Sequence, residues 1–251
     1  MTAPINTPEV SVIVPTYNAA CFLGRALESV LQQGWQDYEL IVMDNASTDS
    51  TAATLQRFDD PRIRSVRNAE NIGMVKNINK GLGIATGRLG VILCADDRWH
   101  PEFLERSLEA QRASPGLTFT NSIIERDQRD ASYRNVHSGG RVSTWRLVRH
   151  MHGIPLSSLM FPLCGDTSRF DSRLPFNCDL EFVLRSMIRH RQPLTMVDWP
   201  GVFVALHDAN ETLRYDIRRE NIKLLEVVSA YTTSPWLRVV LATKRGRLQL
   251  G

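Results

Sequence analysis

Several things are scarce in this sequence, and each absence excludes a class of protein. No apolar run approaches the roughly 20 residues that a helix needs to cross a bilayer. The four cysteines, Cys21, Cys94, Cys164 and Cys178, stand far apart and form no C-x-x-C pair. That spacing supports neither a structural zinc site nor a disulfide scaffold, so free thiols in a reducing cytoplasm are expected. Neither sign of charge dominates: 30 Lys and Arg against 27 Asp and Glu leave a net +3, too little to make nucleic acid the main partner. Met1 to Glu9 shows no basic segment followed by an apolar one, so no secretory leader is expected. No internal repeat or low-complexity tract interrupts the chain.

What is present suits one α/β domain. The chain has 251 residues, 43% of them hydrophobic and 23% charged, enough to bury a large core under a polar surface. Val10–Val14 is a β-branched run closed by Pro15 and reads as a buried strand. Phe22, Ala26 and Val30 recur every four residues beside Leu23, Leu27 and Leu31, the wide apolar face of a helix. Tyr38–Met43 predicts a second strand, followed by a helix reaching about Phe58. A strand near Ile63–Val66, a helix over Met74–Ala85 and a wholly apolar strand over Leu89–Leu93 come next. Pro101 then opens a helix carrying Phe103, Leu104 and Leu108. Such alternation predicts a mostly parallel central sheet with helices on both faces.

The second half is less regular. A polar stretch over 125–152 reads as loops, with a helix near Trp145–Met151. Strands are expected near Ser158–Phe161, Leu194–Val197 and Val202–Leu206, and a helix over Asp179–His190. From Leu213 the chain reads as helical, ending in a tail that contains Arg238, Lys244, Arg245 and Arg247.

Ligands of parallel sheets bind beyond the carboxyl ends of the strands, so the polar residues found there are the candidates. Asp96 and Asp97 follow the Leu89–Leu93 strand. Adjacent carboxylates can hold a hard divalent cation, or one of them can cap the helix that follows. Asp44 ends another apolar strand, too early to cap the next helix, and could accept a hydrogen bond from a nucleobase. Tyr17, after the first strand, offers a face on which a base could stack, or packs at the sheet edge. The glycines of Gly81-Leu-Gly83-Ile-Ala-Thr-Gly87 imitate a dinucleotide fingerprint but end a helix instead of following a strand.

Together these segments resemble the family 2 glycosyltransferases, inverting enzymes with the GT-A fold. The matching stretches are Ser11-Val-Ile-Val-Pro-Thr-Tyr-Asn18, Ser29-Val-Leu-Gln-Gln33, Glu39-Leu-Ile-Val-Met-Asp-Asn-Ala-Ser-Thr-Asp49, Asn71-Ile-Gly73, Asn79-Lys-Gly-Leu82 through Ala85-Thr-Gly87, and Ala95-Asp-Asp97. The resemblance implies that Pro15, Thr16, Tyr17 and Asp44 hold the nucleoside. It makes Asp96 the metal ligand of the family's DxD-type motif, with Asp97 beside it at the donor, and points to Mn2+ or Mg2+ as the metal. Cys94 stands where the first Asp of that motif is usual. The family's basic residue in the helix after Asn71-Ile-Gly73 has no direct counterpart, because Ile78 precedes Asn79; Lys76 is the candidate donor contact, with Asn79 close by. Phe176-Asn-Cys-Asp-Leu-Glu-Phe-Val-Leu-Arg185 is similar to the stretch holding the catalytic base, with Cys178 in place of a frequent acid. Asp179 is therefore the base candidate, or else the N-cap of its helix. Val204-Ala-Leu-His207, followed by Asn210 and Thr212, resembles a late segment whose histidine holds metal or diphosphate; His207 is either that ligand or a surface residue.

The expectation is a single in-line transfer of a sugar from a nucleoside diphosphate, UDP or dTDP favoured and GDP open. The acceptor would be a hydroxyl of a carbohydrate or lipid-linked saccharide in bacterial polysaccharide or glycoconjugate synthesis. Residues 1–120 are expected to bind the donor and 121–212 the acceptor and base, with 213–251 a helical tail of the same compact domain. The protein is expected to be cytoplasmic, with a peripheral contact to the inner face of the membrane through the basic tail. Two rivals stand beside this reading: a non-catalytic nucleotide-sugar-binding protein, and a nucleotidyltransferase, which would normally carry a Gly-rich phosphate loop where Pro15–Asn18 stands.

Overall fold

The computed structural model describes residues 7–126, 130–134, 139–150, 154–208 and 210–250. The first half alternates strand and helix: β1 (Val10–Thr16), α1 (Leu23–Leu31), β2 (Tyr38–Asp44), α2 (Thr51–Leu55), β3 (Ile63–Arg67), α3 (Met74–Ile84) and β4 (Leu89–Ile92). Side chains of a strand alternate between faces, and both faces of these strands are apolar. Val12, Val14, Leu40, Val42 and Val91 enter one core with Leu23, Ala26 and Leu27 of α1. Ile13, Ile41, Met43 and Ile92 enter a second core with Val75, Ile78 and Leu82 of α3. Burial on both faces is the usual condition of a parallel sheet, and β3, β2, β1 and β4 pair in parallel in that order. The missing N–H of Pro15 does no harm, because the β1–β4 ladder ends at Ile13–Ile92.

The chain continues through β5 (Arg98–Trp99), α4 (Phe103–Ala113), β6 (Leu117–Arg126), β7 (Asp130–Arg134), β8 (Gly140–Val142), α5 (Thr144–His150), β9 (Leu159–Pro162), α6 (Cys178–Arg189), β10 (Leu194–Leu206), α7 (Ile217–Tyr231) and α8 (Pro235–Leu250). One sheet runs β3-β2-β1-β4-β9-β6-β10-β5, with β7 on β6 and β8 on β10. Antiparallel pairing is confined to ladders that involve β5, β7, β8 and β9. Position 120 falls inside β6, so the expected donor and acceptor halves share a single sheet.

Some elements depart from the sequence expectation. The ten-residue β6 was not expected, because Thr118, Thr120, Asn121 and Ser122 are buried and a buried polar strand carries no apolar signal. The two strands expected at Leu194–Val197 and Val202–Leu206 are one, since irregular pairing around Pro200 absorbs the break. The short β5, β7 and β8 were also not expected. Helix α2 ends at Leu55, before Phe58. The expected end of the Trp145 helix at Met151, and Met1–Asn6 of the N-terminal stretch, lie outside the described residues. One family-like segment, Ser29–Gln33, is a packing clamp. Gln33 donates to the Ser29 and His100 carbonyls, 2.9 and 2.8 Å away, and accepts from Leu104 N–H at 2.9 Å, which docks α4 on α1. Ser29 Oγ accepts the Trp99 N–H at 3.1 Å.

The glycines near the end of α3 are spacers and not a phosphate cradle. A Cβ on Gly81 would sit 2.7 Å from Ile13 Cγ2 and 2.9 Å from Met43 Cγ, both in the core. On Gly246 in α8 it would meet nothing within 4 Å. Alanine favours a helix over glycine by ~1 kcal/mol, whereas overpacking a core costs about 1–3 kcal/mol. The same substitution should therefore act with opposite signs. In urea unfolding, Gly81→Ala should lower the midpoint and Gly246→Ala should hold or raise it; equal shifts would contradict the packing argument.

Candidate active site

The carboxyl ends of β1 and β2 are clasped to each other. Asn18 takes the left-handed conformation (φ 48°), which its short polar side chain tolerates. Its N–H donates to Ser47 Oγ (3.0 Å), and its side-chain oxygen accepts Thr48 N–H (2.8 Å). Ala19 N–H donates to Thr51 Oγ1 (3.0 Å) and Ala20 N–H to Asp49 Oδ2 (3.1 Å). With the turn so held, Tyr17 stands 49% exposed while Thr16 is buried and Pro15 half-buried. Asp44 is buried beside them. Its Oδ1 accepts Ser47 N–H at 2.9 Å and its Oδ2 pairs with Arg67, whose other amino group reaches the Ser47 carbonyl at 2.7 Å. A recess of about 410 Å³ opens against Asp44, Thr51, Asp60, Ser65 and Arg67.

Behind this turn lies a network of asparagines. Asn45 Nδ2 donates to Asn71 Oδ1 (2.7 Å), and Asn45 Oδ1 accepts from Asn68 Nδ2 and Ile72 N–H, both at 3.0 Å. Asn68 also donates to Asn77 (2.8 Å), which donates to the Met43 carbonyl (2.7 Å), and Lys80 donates to Asn68 (2.6 Å). Buried amides are costly unless satisfied, and this mutual satisfaction fixes the Asn71-Ile-Gly73 turn against the end of β2.

At the end of β4 the two aspartates divide in role. Asp97 is buried, with Oδ2 accepting from Ser157 Oγ (2.5 Å) and Oδ1 from Ala205 N–H of β10 (3.0 Å). Burial, and then the charge of Asp96, push its carboxyl up to about 8. It does not cap α4, whose N-cap is Glu102. Asp96 is partly exposed and turns the other way. Its Oδ2 lies 3.2 Å from His207 Nε2 and accepts from Asn210 Nδ2 at 3.1 Å. The His207 ring stacks on Phe22 at 4.5 Å, and its backbone N–H donates to Asn210 Oδ1 at 2.6 Å. Ligand atoms of Cys94, Asp96 and Asp97 lie within 4.8 Å of one another. The pair Asp96 Oδ2 and His207 Nε2 suits a shared divalent ion, because ligands on arms of about 2.0–2.1 Å in tetrahedral array stand roughly 3.3 Å apart.

Asp179 lies in the first turn of α6. The N-cap position is Asn177, so Asp179 is not the cap, although its Oδ1 accepts Leu180 N–H at 2.6 Å. Burial raises its carboxyl to about 7, partly offset by that bond. Burial likewise raises the Cys178 thiol. A cleft of about 220 Å³ holds Asp96 and Asp179 together, with Cys94, Cys178, Phe176 and Tyr215 on its walls. The cleft thus combines carboxyl groups, thiols and apolar side chains on one lining.

The remaining candidates fall elsewhere. The Asn79 amide donates to and accepts from the Phe170 backbone, both at 2.8 Å, docking α3 on the 170 loop. Lys76 is exposed on α3 and Ile78 is core; neither they nor Asn79 line the cleft. The side chain of Thr212 lies outside the described residues. Sequence reasoning passed over Arg67, the last residue of β3, which falls between the family-like stretches ending at Asp49 and beginning at Asn71. It also passed over Ser157, which no motif marks, and Tyr215, which only the fold brings to the cleft.

The profile of the family described as Glycosyl transferase family 2 matches residues 11–161. The chain is 41% identical over 124 residues to TuaG of Bacillus subtilis, a glycosyltransferase assigned to teichuronic acid biosynthesis, covering 48% of this chain and 49% of that protein. It is 36% identical over 127 residues to the GalNAc(5)-diNAcBac-PP-undecaprenol beta-1,3-glucosyltransferase of Campylobacter jejuni, covering 48% and 40%. The match thus spans about half or less of the curated relatives' length. Among solved structures, S. aureus TarS with UDP-GlcNAc superposes with a TM-score of 0.74 at 16% identity, over 88% of this chain and 66% of that one. The mannosyltransferase PcManGT of Pyrobaculum calidifontis, in complex with GDP-Man and Mn2+, gives 0.69 at 18%, over 97% and 71%. The strand order, the acidic strand end and the sequence match converge: the chain belongs to glycosyl transferase family 2 and has the GT-A fold.

Proposed function

We propose that this chain transfers a sugar from a nucleoside-diphosphate donor to a hydroxyl of a carbohydrate or lipid-linked saccharide, with inversion, in bacterial polysaccharide or glycoconjugate synthesis. The observation that carries this reading is the placement of Asp96, paired with His207, and Asp179 in one cleft. Thr16, Tyr17 and Asp44 hold the nucleoside beside Pro15, with the base on the exposed Tyr17 ring; a pyrimidine of UDP or dTDP is favoured. Asp96 and His207 would hold Mn2+ or Mg2+, which when bound neutralises charge gathering on the departing diphosphate.

Asp179 takes the proton of the acceptor hydroxyl. As it does so the acceptor oxygen bonds to the anomeric carbon, and the bond from that carbon to the diphosphate oxygen breaks with its electron pair leaving on the diphosphate. A single displacement of this kind inverts the anomeric centre. A base is most effective with a pKa near the working pH, and burial has moved Asp179 to about 7. At the far end of the chain, Leu237 and Leu241 of α8 pack into the core, leaving Trp236 and Val239 56% and 65% exposed beside Arg238. Apolar rings and cations on one helix suit a peripheral contact with an anionic membrane.

Three measurements test this. Binding of UDP should require a divalent ion, and Asp96→Asn should weaken it in Mn2+ by at least the ~10-fold that loss of an outer partner alone costs a metal site; equal affinity in excess chelator would remove the metal from the reading. Asp179→Asn should slow donor turnover by a factor on the order of 10²–10⁴ with little change in donor affinity. The base works only when deprotonated, so the wild-type rate should fall as pH drops through about 7 and level off above it. A fully active Asn variant, or a profile flat across that range, would place the base elsewhere. In vesicle sedimentation, Trp236→Ser should reduce binding to anionic vesicles and leave the already weak binding to neutral ones unchanged; no difference between the two lipids would exclude the charge-assisted contact.

A further inference from the structure

We propose that the thiol of Cys94 is a third protein ligand of the divalent ion held by Asp96 and His207, making the site selective for thiophilic ions over Mg2+. The inference rests on the reading that a metal binds in this cleft. Three observations carry it. The Cys94 sulfur, the Asp96 carboxylate and the Asp97 carboxylate lie within 4.8 Å of one another. In a tetrahedral array, arms of about 2.3 Å to sulfur and 2.0–2.2 Å to oxygen put two such ligand atoms roughly 3.6 Å apart, so side-chain rotation that draws Cys94 and Asp96 together by about 1 Å brings both onto one ion.

Asp97 is an unsuitable alternative. Its carboxyl is buried and each oxygen already accepts a hydrogen bond, from the Ser157 hydroxyl and the Ala205 N–H, so a shift toward an ion would strain the link between β4 and β10. The Cys94 side chain hydrogen-bonds with Ser157, whose Oγ also accepts the Cys94 backbone N–H at 3.0 Å, and this holds the residue in place at the cleft wall. His207 is oriented by stacking on Phe22 and by the Asn210 contact to its backbone. Asp96 stands between the two other ligands, within 4.8 Å of the Cys94 sulfur and 3.2 Å from His207 Nε2, so an ion seated on its carboxylate is the one that all three would share. On coordination the thiol gives its proton to solvent and binds as thiolate, and diphosphate or water oxygens complete the shell. Carboxylate and water suit Mg2+ and Mn2+, whereas thiolate and imidazole favour Co2+, Zn2+ and Cd2+.

Cobalt reports on this directly, because a sulfur ligand adds a charge-transfer band in the near ultraviolet that oxygen and nitrogen ligands do not. Co2+ would be titrated into protein with excess UDP, in a background where the exposed Cys21 and Cys164 are replaced by Ser. The band should appear there, persist in Cys178→Ala, and vanish in Cys94→Ser and Cys94→Asp while calorimetry still shows Co2+ bound. Circular dichroism checks that each variant is folded. The preference for Cd2+ over Mn2+, read by competition, should fall at least about tenfold in Cys94→Asp. Co2+ binding without the band, or a band that survives Cys94→Ser, would overturn the assignment and leave the metal reading standing. No Co2+ uptake by folded protein would overturn both.

Discussion

The carboxylate of Asp97 is the contact on which the site depends. It is buried where β4 ends, and it accepts one hydrogen bond from Ser157 and one from the β10 backbone at Ala205. A buried carboxyl left unpaired costs several kcal/mol, so the ends of β4 and β10 are held in one relative position. Only in that position does Asp96, one residue earlier, meet His207, two residues beyond Ala205. The same Ser157 Oγ accepts the Cys94 N–H, and the Ser157 carbonyl accepts the Trp99 indole N–H at 2.7 Å. One short segment thus fixes the approach to the motif, the motif and the strand that follows it. In the proposed metal site, Asp97 serves by geometry and Asp96 by contact.

The donor end is built on a different principle. There the strand ends are joined by side-chain oxygens and amides that satisfy backbone donors, as Ser47, Thr51 and Asp49 do for Asn18, Ala19 and Ala20. A loop held by its own polar side chains can present an exposed ring without apolar support, and Tyr17 is so presented. The Asp44–Arg67 pair has a half-exposed arginine and a buried acid.

The sheet's first half was legible because burial on both faces writes itself as continuous apolar runs, as in Val10–Val14 and Leu89–Leu93. β6 was not legible, because its buried Thr, Asn and Ser make hydrogen bonds that a hydrophobicity pattern does not record; Asn121, for example, donates to Asp198 at 2.9 Å. β10 was legible in two pieces, since Pro200 breaks the pattern but not the ladder. The site divided in the same way. Asp96, His207 and Asp179 could each be named from motifs, but their meeting depends on contacts remote in sequence. Ser29, Gln33 and Asn79 belong to equally recognisable segments, yet they hold helices together. A motif reports that a residue is constrained without reporting whether the constraint is packing or chemistry.

The two thiols of the cleft bear on its electrostatics as well as on its ligands. Asp97 and Asp179 are buried on the lining of one cleft, and an added carboxylate would raise the pKa of a buried neighbour through like-charge repulsion. Cys94 and Cys178, whose thiols burial keeps protonated in the absence of metal, occupy positions next to those acids without adding charge. Asp179 then answers to its own burial, opposed by backbone N–H groups, and reaches about 7, where it can exchange a proton near neutrality. With an acid at position 178 the same burial would act on two adjacent carboxyls, and the first proton to leave would make the second harder to remove. Under the proposed reaction, neutral sulfur beside a single buried acid is one way for this cleft to keep a usable base while leaving its other two carboxylates to metal and to architecture.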